Sequence, residues 1–183
     1  MSKFSDRTKS ALLVIDVQVG VVGGAYERDA KVANMSKAID KARAASIPVI
    51  WVQHSDEGLV LESADWEIVS ELPPLESEPK VRKIYRSSFE ETNLEEILSE
   101  LGVAHLYVCG AETNNCVRHT SHTALEKGYD VTLVSDAHTT TGFEWDGYIV
   151  DAARVIDEQN INFMDYSLPG RSAKAVPVTE LSF

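Results

Sequence analysis

Short apolar runs alternate along this chain with longer stretches of helical period. ALLVI at residues 11–15 is continuous and apolar, and after it Val32, Met35, Ile39 and Ala42 recur every three to four positions. Pro48 then opens VIWV at 49–52, so the first unit reads strand, helix, strand. A second unit follows: Thr92 and Glu95 have capping-box spacing ahead of Leu94, Ile97, Leu98 and Leu101, Gly102 stops that helix, and HLYVC at 105–109 supplies the next strand. Residues 116–127 read as a helix stopped by Gly128 and VTLV at 131–134 as a strand. Ile149, Ala153 and Ile156 read as one helix face, and INF at 161–163 as a last short strand. Near-continuous Val/Ile/Leu runs are what strands covered on both faces require. The pattern therefore predicts an α/β fold with three αβα layers and a mainly parallel, doubly wound, Rossmann-like sheet of about six strands. Residues 55–80, with Pro73, Pro74 and Pro79, have the weakest periodicity; loops and a short helix over the sheet's carboxyl edge are expected there. The tail after Tyr166 is expected to pack on another subunit.

Composition narrows the function classes. At 183 residues the chain suits one well-buried domain over 1–183. A formal charge of −12 leaves no basic stripe for phosphate backbones, which argues against nucleic acid and anionic membranes and for a small-molecule substrate. The opening MSKFSDRTKS is polar and the apolar segment 11–17 is interrupted by Asp16, so neither signal peptide nor membrane span is expected, and a cytoplasmic protein is. The two cysteines, Cys109 and Cys116, make neither a disulfide framework nor a CxxC motif, so both should be reduced thiols, with Cys109 in the core.

In an open α/β sheet, ligands bind beyond the carboxyl ends of the strands. That rule selects Asp16 after the first strand, His54 after the second, 112–116 after HLYVC, and 136–138 after VTLV. In LYVCGAETNNCV at 106–117, an apolar run and a polar loop lead to Cys116 on what reads as a helix's first turn. Unpaired backbone N–H groups and the positive end of the helix dipole there should favour the thiolate. Lys83, in the local basic cluster with Lys80, Arg82 and Arg86, is the candidate for biasing that ionisation. Asp16 interrupts an apolar run, where a carboxylate is costly to bury without a partner. Arg118, His119 and His122 read as surface or helix-packing residues.

Four segments, LLVIDVQ around Asp16, KIYRSSFEETNLEEIL from Lys83, GAETNNCVRHT around Cys116 and GYDVTLVSDAHTT ending near Thr140, occur in the order found in the isochorismatase-like cysteine hydrolases. The chain resembles that superfamily, which includes nicotinamidases, N-carbamoylsarcosine amidase and ureidoacrylate amidohydrolases, over roughly residues 12–163. The resemblance implies an Asp16, Lys83, Cys116 triad, with Asp16 as base toward the thiol and Lys83 stabilising the thiolate. It further implies an oxyanion hole from the backbone N–H groups of Glu112 and Cys116, a cis peptide between Ala111 and Glu112, and a homo-oligomer, dimer or tetramer. Nicotinamidases of the superfamily bind a divalent ion through a DxH pair; the corresponding stretch here is VQH, Val52 to His54, with no histidine following until His105. A single histidine builds no three-ligand site, so neither metal nor cofactor is expected, and nicotinamidase activity is not. His54, Trp66, Tyr85, Asn115 and His138 are candidates to line a substrate pocket. The expected reaction is hydrolysis of a small amide, ureido or carbamoyl compound through a Cys116 thioester. The alternatives are isochorismatase-type vinyl-ether hydrolysis with Asp16 as general acid, and a non-catalytic binding or scaffold homologue.

Overall fold

The structure, a computed structural model, describes residues 2–183. Strand β1 (Lys9–Ile15) is followed by a short helix α1 (Val19–Val22), helix α2 (Arg28–Ala44) and strand β2 (Val49–His54). Next come β3 (Lys80–Lys83), α3 (Leu94–Glu100) and β4 (Val103–Ala111), then a π-helical turn (Thr113–Val117) running into α4 (Arg118–Lys127). Strand β5 (Asp130–Thr139), a hairpin of β6 (Phe143–Trp145) and β7 (Tyr148–Val150), α5 (Ala152–Asp165) and β8 (Ala173–Val176) complete the order. The main sheet runs β3-β2-β1-β4-β5-β8, all parallel. Its order reverses between β1 and β4, so the crevice at their carboxyl ends is the switch point where α/β folds bind ligands.

Period-two alternation in β1 divides the core. Leu12 and Val14 pack with Val32, Met35, Ala38, Ile39 and Ala42 of α2 on one side of the sheet. Ala11, Leu13 and Ile15 pack with Leu94 and Leu98 of α3, Ala124 and Leu125 of α4 and Phe163 of α5 on the other. Both faces of β1 are thus dry, which is why its sequence carries no polar alternation. Gly110 sits in a β-bulge of β4 at φ 123°, and a Cβ there would lie 2.0 Å from the Ile15 carbonyl oxygen. Only glycine allows the two central strands to approach this closely.

The structure corrects several readings. INF at 161–163 is not a strand but part of α5, whose buried side is Ala152, Ile156, Gln159 and Phe163; Ile161 is exposed. The last strand is β8 instead, paired with β5. Ile149 belongs to β7 and not to the α5 face; in that hairpin Trp145, Tyr148 and Ile149 are all strongly exposed. No helix forms over residues 55–79, where turns carry Trp66, Val69 and Leu72 into the interior. The Thr92–Glu95 capping box is absent: Asn93 is the N-cap of α3, the Thr92 hydroxyl donates to the Ser88 carbonyl, and Glu95 accepts from the Tyr129 hydroxyl. No helix of the described residues is long and apolar enough to cross a membrane.

Candidate active site

Asp16 is the first residue beyond β1, held at φ 48° in the left-handed region that aspartate tolerates better than most residues. Lys83 ends β3, whose alternation turns Val81 and Lys83 inward while Lys80 and Arg82 face out. Cys116 lies inside the π-helical turn that follows β4, with the Asn115 and Val117 N–H groups donating to the Glu112 carbonyl. Residues spread over a hundred positions therefore meet at the switch point. Lys83 Nζ is 2.7 Å from Asp16 Oδ2 and 3.2 Å from Cys116 Sγ. The Lys83 and Asp16 side chains are 0% and 1% exposed. The peptide bond between Ala111 and Glu112 is cis.

Above these groups opens a cavity of about 510 Å³. Asp16, Cys116, His54, Glu112 and Asn115 line it, joined by Gly20, Val21, Asp56, Leu59, Asp65, Arg86 and Thr141. The Asn115 amide donates to Glu112 Oε2 at 2.8 Å, tying two wall residues together. Buried Gln18 fixes a third wall residue: its Oε1 accepts from the His54 N–H and its Nε2 donates to the His54 and Trp66 carbonyls.

Electrostatics departs from the expectation drawn from helix position. Burial, reinforced by the neighbouring Asp16 carboxylate, pushes the Cys116 thiol up to about 12, and Lys83 only partly opposes this. Sγ is therefore a thiol at rest and not a standing thiolate, because the desolvation of a sulfur anion outweighs the field of one helical turn. Burial also raises the Asp16 carboxyl above the ordinary aspartate range, with Lys83 pulling the other way. A carboxylate made more basic by burial, beside a thiol that still holds its proton, is an acid–base pair poised for transfer.

Three of the five expected pocket residues lie elsewhere. His138 is wholly buried, its Nδ1 2.9 Å from Thr113 Oγ1 and its Nε2 2.9 Å from Asn160 Oδ1. It joins the π-helical turn to α5, and burial depresses it to about 4, so it is neutral. Trp66 backs the wall through its carbonyl, which accepts from Gln18 and Gln53, and its ring meets the Arg82 guanidinium at 5.3 Å. Tyr85 is exposed and does not line the cavity. Cys109 is fully buried. Arg118 donates to Gln159 and pairs with Glu158, and the His122 ring stands edge-on to Phe163 and Tyr166, so these residues dock α4 on α5. Arg86, Asp56 and Asp65 are wall residues that motif spacing did not single out. Their signal was compositional, as charges in the aperiodic segments that cross the carboxyl edge.

The residues present do not fit a resident divalent ion. Val52, at the position of the first DxH ligand, is buried hydrocarbon, and His54 Nε2 is already 3.1 Å from Asp56 Oδ2. Among the described residues no group of three or more His, Cys, Asp or Glu is placed to hold one.

The isochorismatase domain model matches residues 10–156, which contain every wall residue, all of β1 but Lys9, and β2 to β5. The chain belongs to the isochorismatase family. Similarity to a streptothricin hydrolase of Streptomyces noursei reaches 34% identity over 73% of this chain, though it spans only 56% of that relative; a second such enzyme is matched over 49% of its length. Among solved structures, an isochorismatase from Pseudomonas putida superposes with a TM-score of 0.85 at 27% identity, covering 98% of this chain and 95% of that one. The N-carbamoylsarcosine amidase of Thermoplasma acidophilum gives 0.78 at 25% identity, covering 96% and 100%. This chain thus carries an isochorismatase domain with the three-layer, parallel-sheet fold of its structural relatives, and spans about half the length of the streptothricin hydrolases it matches.

Proposed function

We propose that this protein cleaves a small amide, ureido or carbamoyl substrate through a thioester on Cys116. The observation that carries the reading is the buried Lys83 ammonium lying within reach of both Asp16 Oδ2 and Cys116 Sγ, two residues that line a cavity large enough for a small molecule. On substrate entry the Asp16 carboxylate takes the Cys116 proton as Sγ attacks the carbonyl carbon, and Lys83 balances the charge that appears on sulfur. The tetrahedral oxyanion is held by the backbone N–H groups of Glu112 and Cys116, both in the cavity wall. Collapse expels the amine, which receives the proton from Asp16. Water, deprotonated by Asp16, then attacks the thioester, releasing the acid or carbamate and restoring the thiol. Relatives named for hydrolysis of streptothricin and carbamoylsarcosine support carbonyl–nitrogen bonds as the target.

One observation favours a second reading. A carboxyl raised by burial, as Asp16 is, equally serves as the general acid of vinyl-ether hydrolysis, which needs no sulfur nucleophile. Ammonia release from a panel of amides, ureides and carbamoyl compounds decides between them when run with Cys116→Ala and Asp16→Asn. Thioester chemistry requires that Cys116→Ala abolish turnover and that acid quench trap an acyl adduct on the peptide carrying Cys116. Turnover retained in Cys116→Ala overturns it in favour of Asp16 acting alone.

A further inference from the structure

We propose that His54 and Asp56 form a positioning pair that aims the Lys83 ammonium at Asp16 and Cys116, by fixing which nitrogen of the His54 ring carries the proton. An ammonium has three protons to place. Lys83 Nζ has three acceptors around it: Asp16 Oδ2 at 2.7 Å, Cys116 Sγ at 3.2 Å and His54 Nδ1 at 3.4 Å. With all three taken, the lysine has no competing direction in which to turn. His54 can fill its place only as a neutral ring with the proton on Nε2, since Nδ1–H would set donor against donor.

Asp56 supplies the selection. Its Oδ2 lies 3.1 Å from His54 Nε2, where a carboxylate accepts but cannot donate. Its Oδ1 accepts from the Gly58 and Leu59 N–H groups, each at 2.8 Å. These two bonds, with that from His54, also hold the Asp56 carboxyl below the usual range, so it is charged under working conditions. The ring's backbone is clamped on both sides by Gln18, through the His54 N–H and carbonyl. His54 contacts Asp56 from the following loop and Lys83 from β3, with Asp16 beside Lys83, and it shares the cavity with Asp65, Arg86, Glu112 and Cys116. Neither His54 nor Asp56 touches the reacting sulfur; both act through Lys83.

The substitution Asp56→Asn tests this with little change of shape. Because the oxygen of the new amide stays on the Gly58 and Leu59 N–H groups, its NH2 takes the Oδ2 position and points at His54 Nε2. Nε2 must then accept, Nδ1 becomes the donor, and Lys83 is turned away from sulfur. The inference rests on Cys116 being the nucleophile, so the readout is alkylation of Cys116 by iodoacetamide at pH 8.5, which needs no substrate; Cys116→Ala serves as the blank for Cys109. Asp56→Asn should slow alkylation by about tenfold, the change in thiolate fraction for a one-unit rise in thiol pKa. His54→Leu should do the same. His54→Asn, whose amide oxygen stands where Nδ1 stood, should restore the wild-type rate to within about twofold. Adding Asp56→Asn to His54→Asn should then cost nothing further, since the ring through which Asp56 acts is gone. Equal losses from Asp56→Asn in both backgrounds, or wild-type alkylation in His54→Leu, would overturn the pair and leave the hydrolase reading intact. The predicted alkylation pattern in a protein that turns over no amide would sink the substrate assignment and support the pair.

Discussion

Gly110→Ala is the substitution on which the geometry of the switch point can be tested most directly. An alanine at φ 123° first incurs the left-handed backbone cost, about 1–2 kcal/mol. Its methyl would then lie 2.0 Å from the Ile15 carbonyl oxygen and 2.7 Å from the Ile15 nitrogen, against ordinary contacts of 3.4–4 Å. Both obstructing atoms are backbone, so no rotamer change relieves the overlap. β1 and β4 must instead separate by roughly 1.4 Å at the Ile15–Gly110 pair to reach van der Waals contact. Opening the ladder there weakens one or two strand hydrogen bonds at about 1 kcal/mol each and loosens Ile15, which is fully buried. The backbone and hydrogen-bond costs alone come to about 2–4 kcal/mol before any loss of Ile15 packing, a large share of the 5–15 kcal/mol that holds a domain together. Urea unfolding followed by tryptophan fluorescence measures it, with Gly24→Ala as control, since nothing lies within 4 Å of a Cβ at that position. Gly24→Ala should be neutral or stabilising by about 0.4–1 kcal/mol. Any Gly110→Ala protein that folds should also alkylate Cys116 faster, because Asp16 follows Ile15 and the Ala111–Glu112 wall follows Gly110, so parting the strands relieves the burial and the carboxylate that hold the thiol up. A loss of stability below about 1 kcal/mol at unchanged m-value would refute the claim that these strands leave no room for a methyl.

Other expectations follow from the same contacts. His138 is held at about 4 in the fold while an unfolded chain titrates near the ordinary 6.5, so the unfolded state binds the extra proton; stability falls as pH drops from about 6.5 toward 4. Between pH 7 and 5 this removes about 2 kcal/mol of the unfolding free energy, a loss that His138→Gln should largely abolish in paired urea titrations. With the Cys116 thiol at about 12, wild-type alkylation should climb close to tenfold per pH unit from 7 to 9; a plateau near neutrality would show a standing thiolate and refute the buried-thiol account. Asp16→Asn should cut turnover by about two orders of magnitude or more by removing the base, with KM little changed, as steady-state kinetics will report. Leu13→Ala, emptying a fully buried site between β1 and α3–α5, should cost about 2–5 kcal/mol in the same urea assay.

The parts of this fold that could be read from sequence are those whose physics is one-dimensional. β1, β2, β4 and β5 are central strands with both faces covered, so each announces itself as an apolar run. β3 does not, because KVRK is an edge strand that turns only Val81 and Lys83 inward, and one of those is charged. β8 is half-buried at the opposite edge, and the β6–β7 hairpin is exposed on both faces, so neither has a period to detect. Ile161 and Phe163 imitate a strand by alternation alone; the helix face that includes Ile156 does not visibly extend to Phe163, because the residue linking them, Gln159, is a buried amide in an otherwise apolar stripe. Asp16, Lys83 and Cys116 could be picked out by motif order, and they do lie together in space. What sequence position could not convey is the degree of burial. It reverses the expected direction for the Cys116 thiol, and it removes His138 from the pocket.

Burial also acts on Asp16, whose carboxyl it raises as it raises the Cys116 thiol. In an acid whose folded pKa is raised, ionisation opposes folding: the carboxyl of Asp16 holds its proton more tightly in the native state than in the unfolded chain, so above the ordinary aspartate pKa its charge costs stability instead of adding it. Lys83 offsets part of that cost, yet a wholly buried ion pair seldom repays its own desolvation. A core selected for stability alone would place hydrocarbon at both positions. Keeping them leaves a carboxyl more basic than a solvated aspartate beside a sulfur that stays protonated, and therefore shielded from adventitious alkylation and oxidation. The glycine at 110, the Gln18 clamp on His54 and the His138 link from the π-helical turn to α5 all fix backbone around that pair. They hold in place an ion pair that its own desolvation would otherwise favour moving into water.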